Sequence, residues 1–284
     1  MGAYDTINQL ENLRKKLKSY NTLTFVPLLL ILFPVLFPML ANLYPLIFIV
    51  FLAFAIAFSS RSRKVTVEFK RLYKETFVVQ LLSEQFNDVV YNWESGLSLD
   101  YIRSFNVVRQ GNRFKTEDYL CANYNGVRFE QADVTIQYHT SGKNSHTTTY
   151  FKGRMFVFDF PYKNVASVRV LSDSFMYGAN SKNKKVKLEN VDFNKHFNTD
   201  AFYEHDAFYF LTPQMMERIT MLNNRYGNVA VHLMGNKLLV AVNMSSDAFD
   251  HNINKPIDYP TESRKIKADM QVIIDIINTL SIYS

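Results

Sequence analysis

From Leu23 to Phe58 the chain runs for 36 residues without a single charge. One Lys, Arg or Asp at the middle of a spanning helix costs about 3 kcal/mol, so an uncharged run of this length reads as a membrane segment. A single span takes about 20 apolar residues. The run therefore divides into two short spans, residues 23–40 and 43–58, joined by a turn at Ala41, Asn42, Leu43, Tyr44 and Pro45. Both flanks are basic: Arg14, Lys15, Lys16 and Lys18 precede the run, and Arg61, Arg63 and Lys64 follow it. Because positive charge stays on the cytoplasmic side, the expectation is a hairpin in the bacterial inner membrane with both termini in the cytoplasm. Pro27, Pro34, Pro38 and Pro45 lie in the hairpin, and interior prolines remove helical hydrogen bonds and kink the backbone. A re-entrant hairpin stays open beside a full crossing. A cleaved signal peptide is excluded, because its apolar core is about 7–15 residues and begins near the N-terminus.

The charge follows the same division. Residues 1–64 hold seven Lys/Arg and two Asp/Glu, whereas the remaining 220 residues hold 25 and 24. The basic balance of the chain thus belongs to the hairpin flanks. There Arg14, Lys15, Lys18, Arg61, Arg63 and Lys64 are candidates for contact with anionic headgroups. A nucleic-acid partner is not expected, since that needs a basic face on the folded domain. The lone cysteine, Cys121, forbids an internal disulfide and any cysteine-rich zinc site.

Outside the hairpin the hydrophobic period locates the elements. Ile7, Leu10, Leu13 and Leu17 make a short basic amphipathic helix within residues 1–22, lying either at the membrane interface or on the following domain. Phe69, Leu72, Thr76, Val79, Ser83, Phe86, Val90 and Trp93 continue a helical period to about residue 92. Further on the period becomes two. Asp118–Tyr124 and Val127–Thr140 flank Asn125-Gly126, a hairpin turn. Tyr150–Phe160, Val165–Leu171 and Lys185–Leu188 read as strands, and Val229–Met234 and Lys237–Val242 form another hairpin around Gly235-Asn236. Thr212 and Pro213 are the cap and first residue of a helix, and Ile266, Met270, Ile273, Ile277 and Leu280 mark a C-terminal one. The expected class is α+β: a two-helix transmembrane hairpin, then a cytoplasmic domain at residues 64–284 with a mainly antiparallel sheet and flanking helices.

No catalytic pattern emerges. The six histidines lack metal-site spacing. Ser141-Gly142-Lys143 is not a phosphate-binding loop, because Gln137 and Asn144 stand where that loop needs Gly and Ser/Thr. Neither a nucleophile elbow nor a glycine-rich dinucleotide turn is present. Lys182, Lys184, Lys185 and Lys187 form one basic loop, read as an exposed hairpin tip.

Four segments, in order, carry a family resemblance: Phe151 to Phe160, which includes Lys152, Gly153 and Asp159; Val186 to Phe197; Phe210-Leu211-Thr212-Pro213 with Glu217 and Arg218; and Asn236 to Ala241. Together they resemble a bacterial family catalogued as domain-of-unknown-function family 3137. The resemblance implies architecture rather than activity, with a membrane-hairpin N-terminus and frequent encoding beside another small membrane-anchored family. It departs at Asp206-Ala207-Phe208-Tyr209, where the family often has an acidic residue, Ala and Arg. Lys152, Gly153, Asp159, Leu211, Thr212, Pro213, Glu217 and Arg218 read as fold determinants. The expected function is a membrane-anchored, cytoplasm-facing binding or scaffolding protein, working with a lipid bilayer and a membrane-protein partner and using no cofactor. The alternatives are a lipid- or small-ligand-handling domain and an unrecognised enzyme.

Overall fold

The computed structural model describes residues 3–30, 44–160 and 165–282. It divides into two compact units, one of Met1–Gln80 with Asp250–Lys265, the other of Leu81–Phe249 with Ile266–Ser284.

The first unit is helical. Helix α1, Ala3–Leu30, packs beside α2, Tyr44–Leu72, and Leu10, Leu13 and Leu17 of α1 are buried as their spacing predicts. Helix α2 joins the apolar segment to the basic and acidic residues after it without a break. A π-helical turn, Tyr73–Val78, follows and buries Tyr73, Lys74, Phe77 and Val78. Such turns add a residue to the helical ladder and often accompany function.

The transmembrane hairpin is not what forms. Among the described residues no helix is long and apolar enough to cross a membrane, which overturns both the hairpin and the inner-membrane location inferred from it. The physical reason is how the uncharged run is shared out. Helix α1 takes only its first residues, after a long charged stretch, while α2 runs on through Arg61, Arg63, Lys64, Glu68, Lys70 and Arg71. The end of the first expected span and the turn fall within residues 31–43, outside the described residues.

The long helix expected to residue 92 also stops early. Helix α3 covers Val79–Gln85, and Asn87–Asn92 is strand β1. Asp88 adopts φ 53, a left-handed conformation that ends the helix, and Val89, Val90 and Tyr91 favour extended backbone.

The second unit is built on one nine-stranded sheet. After β1 come α4 (Leu99–Phe105), β2 (Arg113–Tyr124), β3 (Val127–His139), β4 (Thr147–Asp159) and β5 (Val165–Ser172). Next are β6 (Lys184–Lys185), α5 (Val191–His196), β7 (Phe197–Ala201), α6 (Glu204–Phe210) and α7 (Pro213–Tyr226). Strands β8 (Val229–Gly235) and β9 (Lys237–Asn243) and helix α8 (Tyr259–Leu280) complete the chain. The strand order is β1-β2-β3-β4-β9-β8-β5-β7-β6, and every described pairing is antiparallel. The mixed α+β class with a large antiparallel sheet is therefore as expected. Strand β6 is shorter than Lys185–Leu188 implied, and β2 begins earlier, at Arg113, with a bulge next to Asp118.

The turns obey their chemistry. Asn125 and Gly126 take φ 50 and 82 between β2 and β3, and Gly235 takes φ 59 between β8 and β9. One face of the sheet packs Ala132, Val134, Met155, Val157, Leu171, Ala230, Leu239 and Ala241 against Ile102 and Phe105 of α4. By the alternation of strands the opposite face presents Phe129, Phe156, Val170, Val231 and Val240. There α7 contributes Met215, Met216, Ile219 and Leu222 to the buried core, and α8 contributes Ile266, Met270, Ile273 and Ile277.

Candidate functional site

A run of exposed apolar side chains lies in the helical unit. On α2, Leu46, Ile49, Phe54 and Ile56 are 63%, 62%, 52% and 59% exposed, and Phe48, Val50 and Leu52 are exposed beside them. Apolar exposure on this scale marks an interaction face. Arg61, Arg63 and Lys64 follow on the same helix and are exposed, as are Lys15 and Lys18 on α1. Arg14 is placed differently. It is buried, donates to both carboxylate oxygens of Glu11 at 2.7 and 2.6 Å, and reaches the Ile253 carbonyl at 3.2 Å. That hydrogen bonding holds the Glu11 carboxyl at about 2, well below the usual carboxylate range.

The residues picked out by resemblance lie in the sheet unit and do not converge. Lys152 and Gly153 sit side by side on β4, and Lys152 pairs with Asp247 at 3.3 Å. A Cβ on Gly153 would lie 2.1 Å from the Val242 carbonyl oxygen, so β9 approaches too closely for any side chain. Asp159 forms a cross-strand ion pair with Lys237. Leu211 is buried, Thr212 accepts the Met215 amide at 3.3 Å, and Pro213 opens α7. Glu217 is exposed, and Arg218 reaches the Leu280 carbonyl at 3.4 Å.

Three buried polar clusters lie outside the residues singled out in the sequence. The first, in the helical unit, joins His251, Glu262, Tyr73, Lys74 and Asp250. Glu262 accepts from Tyr73 at 2.7 Å and lies 2.8 Å from His251, and Lys74 pairs with Asp250 at 2.7 Å. A cavity of about 100 Å³ adjoins them.

The second cluster lies beneath α8. Arg154 is fully buried, donates to the Asp269 carboxylate, and stands 3.5 Å from Asp133 on the neighbouring strand. Asp133 and Asp269 also accept the backbone amides of Ala248 and Phe249. Burial pushes the Asp133 carboxyl up to about 7 against the pull of Arg154 and the Ala248 amide.

The third cluster is on the other sheet face. Arg169 donates twice to Asp200, at 2.9 and 2.6 Å, and to the carbonyls of Asn106 and Ala179. Beside it His232 and Ser167 are 2.8 Å apart. His232 Nδ1 faces the Phe105 carbonyl, which must accept, so Nε2 takes the Ser167 hydroxyl proton. Nucleophile, base and orienting group are thus in place, as in serine hydrolases. Burial, however, pushes His232 down to about 4, and so weak a base is poorly matched to activating a hydroxyl near neutral pH. Ser167 is tied further to Asn183 at 3.0 Å, and Asp200 accepts from Ser181 at 2.8 Å. The arrangement stitches β5, β7 and β8 to the residue 180–183 loop. A cleft of about 460 Å³ lies alongside, lined by Arg169, Asp200, Ser181, Asn183 and Asn198 among others. Among the described residues no group of three or more His, Cys, Asp or Glu is placed to hold a metal.

A signal for two of the clusters was present. Arg154 and Arg169 are cations on strands that are otherwise largely apolar, Arg154 sharing its strand with Lys152, and a cation that is buried must find a counter-charge. For Lys74 and His251 no local pattern existed.

The molecule is thus an α+β protein with a broad antiparallel sheet, whose buried charges are paired and whose conspicuous open surface is apolar with basic flanks. Residues 149–282 match the model of a family described as a protein of unknown function, DUF3137, which bears out the resemblance over that stretch. No curated protein matches the chain. Among solved structures, the crystal structure of the mycobacterial trehalose monomycolate transport factor A, TtfA, is similar over 74% of this chain and 97% of its own, with 10% identity and a TM-score of 0.37. A likeness that loose carries no argument about fold or function.

Proposed function

We propose that the chain is a binding module that engages an anionic lipid surface through the apolar part of α2. The observation that supports this is the exposed set Leu46, Ile49, Phe54 and Ile56, followed by Arg61, Arg63 and Lys64. Withdrawing a large aliphatic or aromatic side chain from water contributes about 1.5–3 kcal/mol. Each basic residue at an anionic surface adds about 1 kcal/mol. The two contributions act together only if charge and apolar surface meet the same partner, as interfacial helices do.

Flotation of the full chain with vesicles of phosphatidylcholine alone, or mixed with phosphatidylglycerol, tests the reading. Recovery with the mixed vesicles should exceed that with phosphatidylcholine alone, and added salt should reduce it. The double variant Ile49→Lys, Ile56→Lys changes exposed positions and should keep its melting behaviour while binding at least about tenfold more weakly. A wild type that stays unbound with both vesicles, or a double variant that floats like it, removes the proposal.

A further inference from the structure

Residues 250–265 belong to the helical unit: Arg14 donates to the Ile253 carbonyl, Glu11 accepts the Ile257 amide, Lys74 pairs with Asp250, and His251 adds a buried contact of its own. The His251 imidazole is 1% exposed and lies against the rings of Phe69 and Tyr73, with centroids 5.9 Å away in each case. Its Nδ1 is 2.8 Å from Glu262 Oε1, and its Nε2 is 3.1 Å from the Lys255 carbonyl oxygen. The other oxygen of Glu262 accepts from Tyr73 at 2.7 Å. Burial alone pushes the Glu262 carboxyl up, but the hydrogen bonds from His251 and Tyr73 outweigh it and hold the group below its usual value. Glu262 is therefore ionised and can only accept.

A neutral imidazole offers one donor and one acceptor, whereas an imidazolium offers two donors. Both partners of His251 are acceptors, so both contacts are made only by the charged ring. The two aromatic rings beside it, Phe69 and Tyr73, favour a cation as well. We propose that His251 is a proton-dependent clamp: as an imidazolium it tightens the hold on residues 250–265, and loss of its proton loosens it.

The surrounding charges fit this account. The π-helical turn contributes Tyr73 and Lys74, and Lys74 is already balanced by Asp250 at 2.7 Å. Lys70 of α2 lines the same small cavity. Glu262 and Lys265 come from the start of α8, and Lys265 donates to the Asp250 carbonyl. His251 and Glu262 thus neutralise one another. A deprotonated ring leaves a buried carboxylate without its cation and turns a lone pair toward an acceptor, and both changes favour opening.

The test is NMR of the full chain with nitrogen-15-labelled histidine, alongside amide exchange between Ile253 and Glu262 across pH. His251 should show imidazolium shifts wherever these amides are protected. As the ring deprotonates, their protection factors should fall about tenfold or more, the loss expected for a charge-assisted hydrogen bond. In Glu262→Gln both transitions should move together to lower pH. A neutral ring in a fully protected segment, or protection that persists through deprotonation, overturns the clamp. So does a Glu262→Gln chain in which the two transitions separate. If that variant does not fold, the wild-type titration alone decides.

Discussion

On one face of the sheet Arg154 is set among two carboxylates, Asp133 and Asp269; on the other Arg169 has one carboxylate, Asp200. Both arginines are buried and both stand on central strands, yet the satisfaction around them differs. Arg169 and Asp200 cancel, and the remaining lone pairs of Asp200 are taken by Ser181 and Asn183. Around Arg154 there is one carboxylate too many. Among the described residues, Asp133 Oδ1, Arg154 Nε and both amide atoms of Gln131 have no hydrogen-bond partner. The extra carboxyl responds by raising its pKa, because a buried charge without its own counter-ion is held more cheaply as the neutral acid. One face is therefore a fixed strut, and the other is a titratable one whose carboxylates hold the Ala248 and Phe249 amides.

The largest test of that contrast removes each cation in turn. Arg169→Met strands Asp200 in the interior, and the expected loss is about 3–5 kcal/mol of unfolding free energy. Urea denaturation at about pH 8 reads that loss directly. Arg154→Met strands two carboxylates, one of which already titrates at about 7. Its loss should be large at about pH 8 and clearly smaller at about pH 6, where Asp133 takes a proton. An Arg154→Met loss that is equal at both pH values would break the distinction.

How far the sequence foretold these regions depends on the range of the interactions. Period-two patterns and the Asn125-Gly126 and Gly235-Asn236 turns are local, and they located β2, β3, β8 and β9. Thr212 and Pro213 located the start of α7 for the same reason. The strand at Asn87–Asn92 was missed because Phe86 and Val90 also fit a helical period, and only the positive φ of Asp88 decides between them. The polar clusters were out of reach, since Arg154 meets Asp269 across 115 positions and His232 meets Phe105 across 127. The uncharged run misled for a different reason. Hydropathy reports composition along the chain, but the described parts of that run, residues 23–30 and 44–58, belong to two helices that also carry many charges. Of the candidate lipid face, Arg61, Arg63 and Lys64 were legible, whereas Arg14 was claimed by Glu11 one turn away.

A smaller and more discriminating effect is the sign of the pH dependence. Asp133 titrates at about 7 when folded and at its ordinary 3.8 when unfolded. The folded chain binds that proton more tightly, so the stability from this group declines as pH rises from about 4 to about 7. His232 titrates at about 4 when folded and at its ordinary 6.5 when unfolded. Its contribution is present above 6.5 and is lost as pH falls toward 4. Each slope is at most about 1.4 kcal/mol per pH unit, and the two oppose each other within one window. Asp133→Asn should leave stability rising between about pH 4 and 7, and His232→Gln should leave it falling. Two variants with slopes of the same sign would show that the faces do not titrate independently.

The smallest expected effect calibrates the others. Lys237 and Asp159 face each other across β9 and β4, with side chains 42% and 40% exposed. Their chemistry is like that of Arg169 and Asp200, but water and salt screen them, and ordering two mobile side chains offsets much of the attraction. A double-mutant cycle with Lys237→Ala and Asp159→Ala should give a coupling of about 0.2–1 kcal/mol that shrinks as salt is added. The corresponding Arg169–Asp200 cycle should be several-fold larger and nearly insensitive to salt. Should the exposed pair couple as strongly as the buried one, burial is not the variable that separates these pairs. The contrast between the sheet faces would then have to rest on cross-strand geometry, which Asp159–Lys237, Asp133–Arg154 and Arg169–Asp200 share by register.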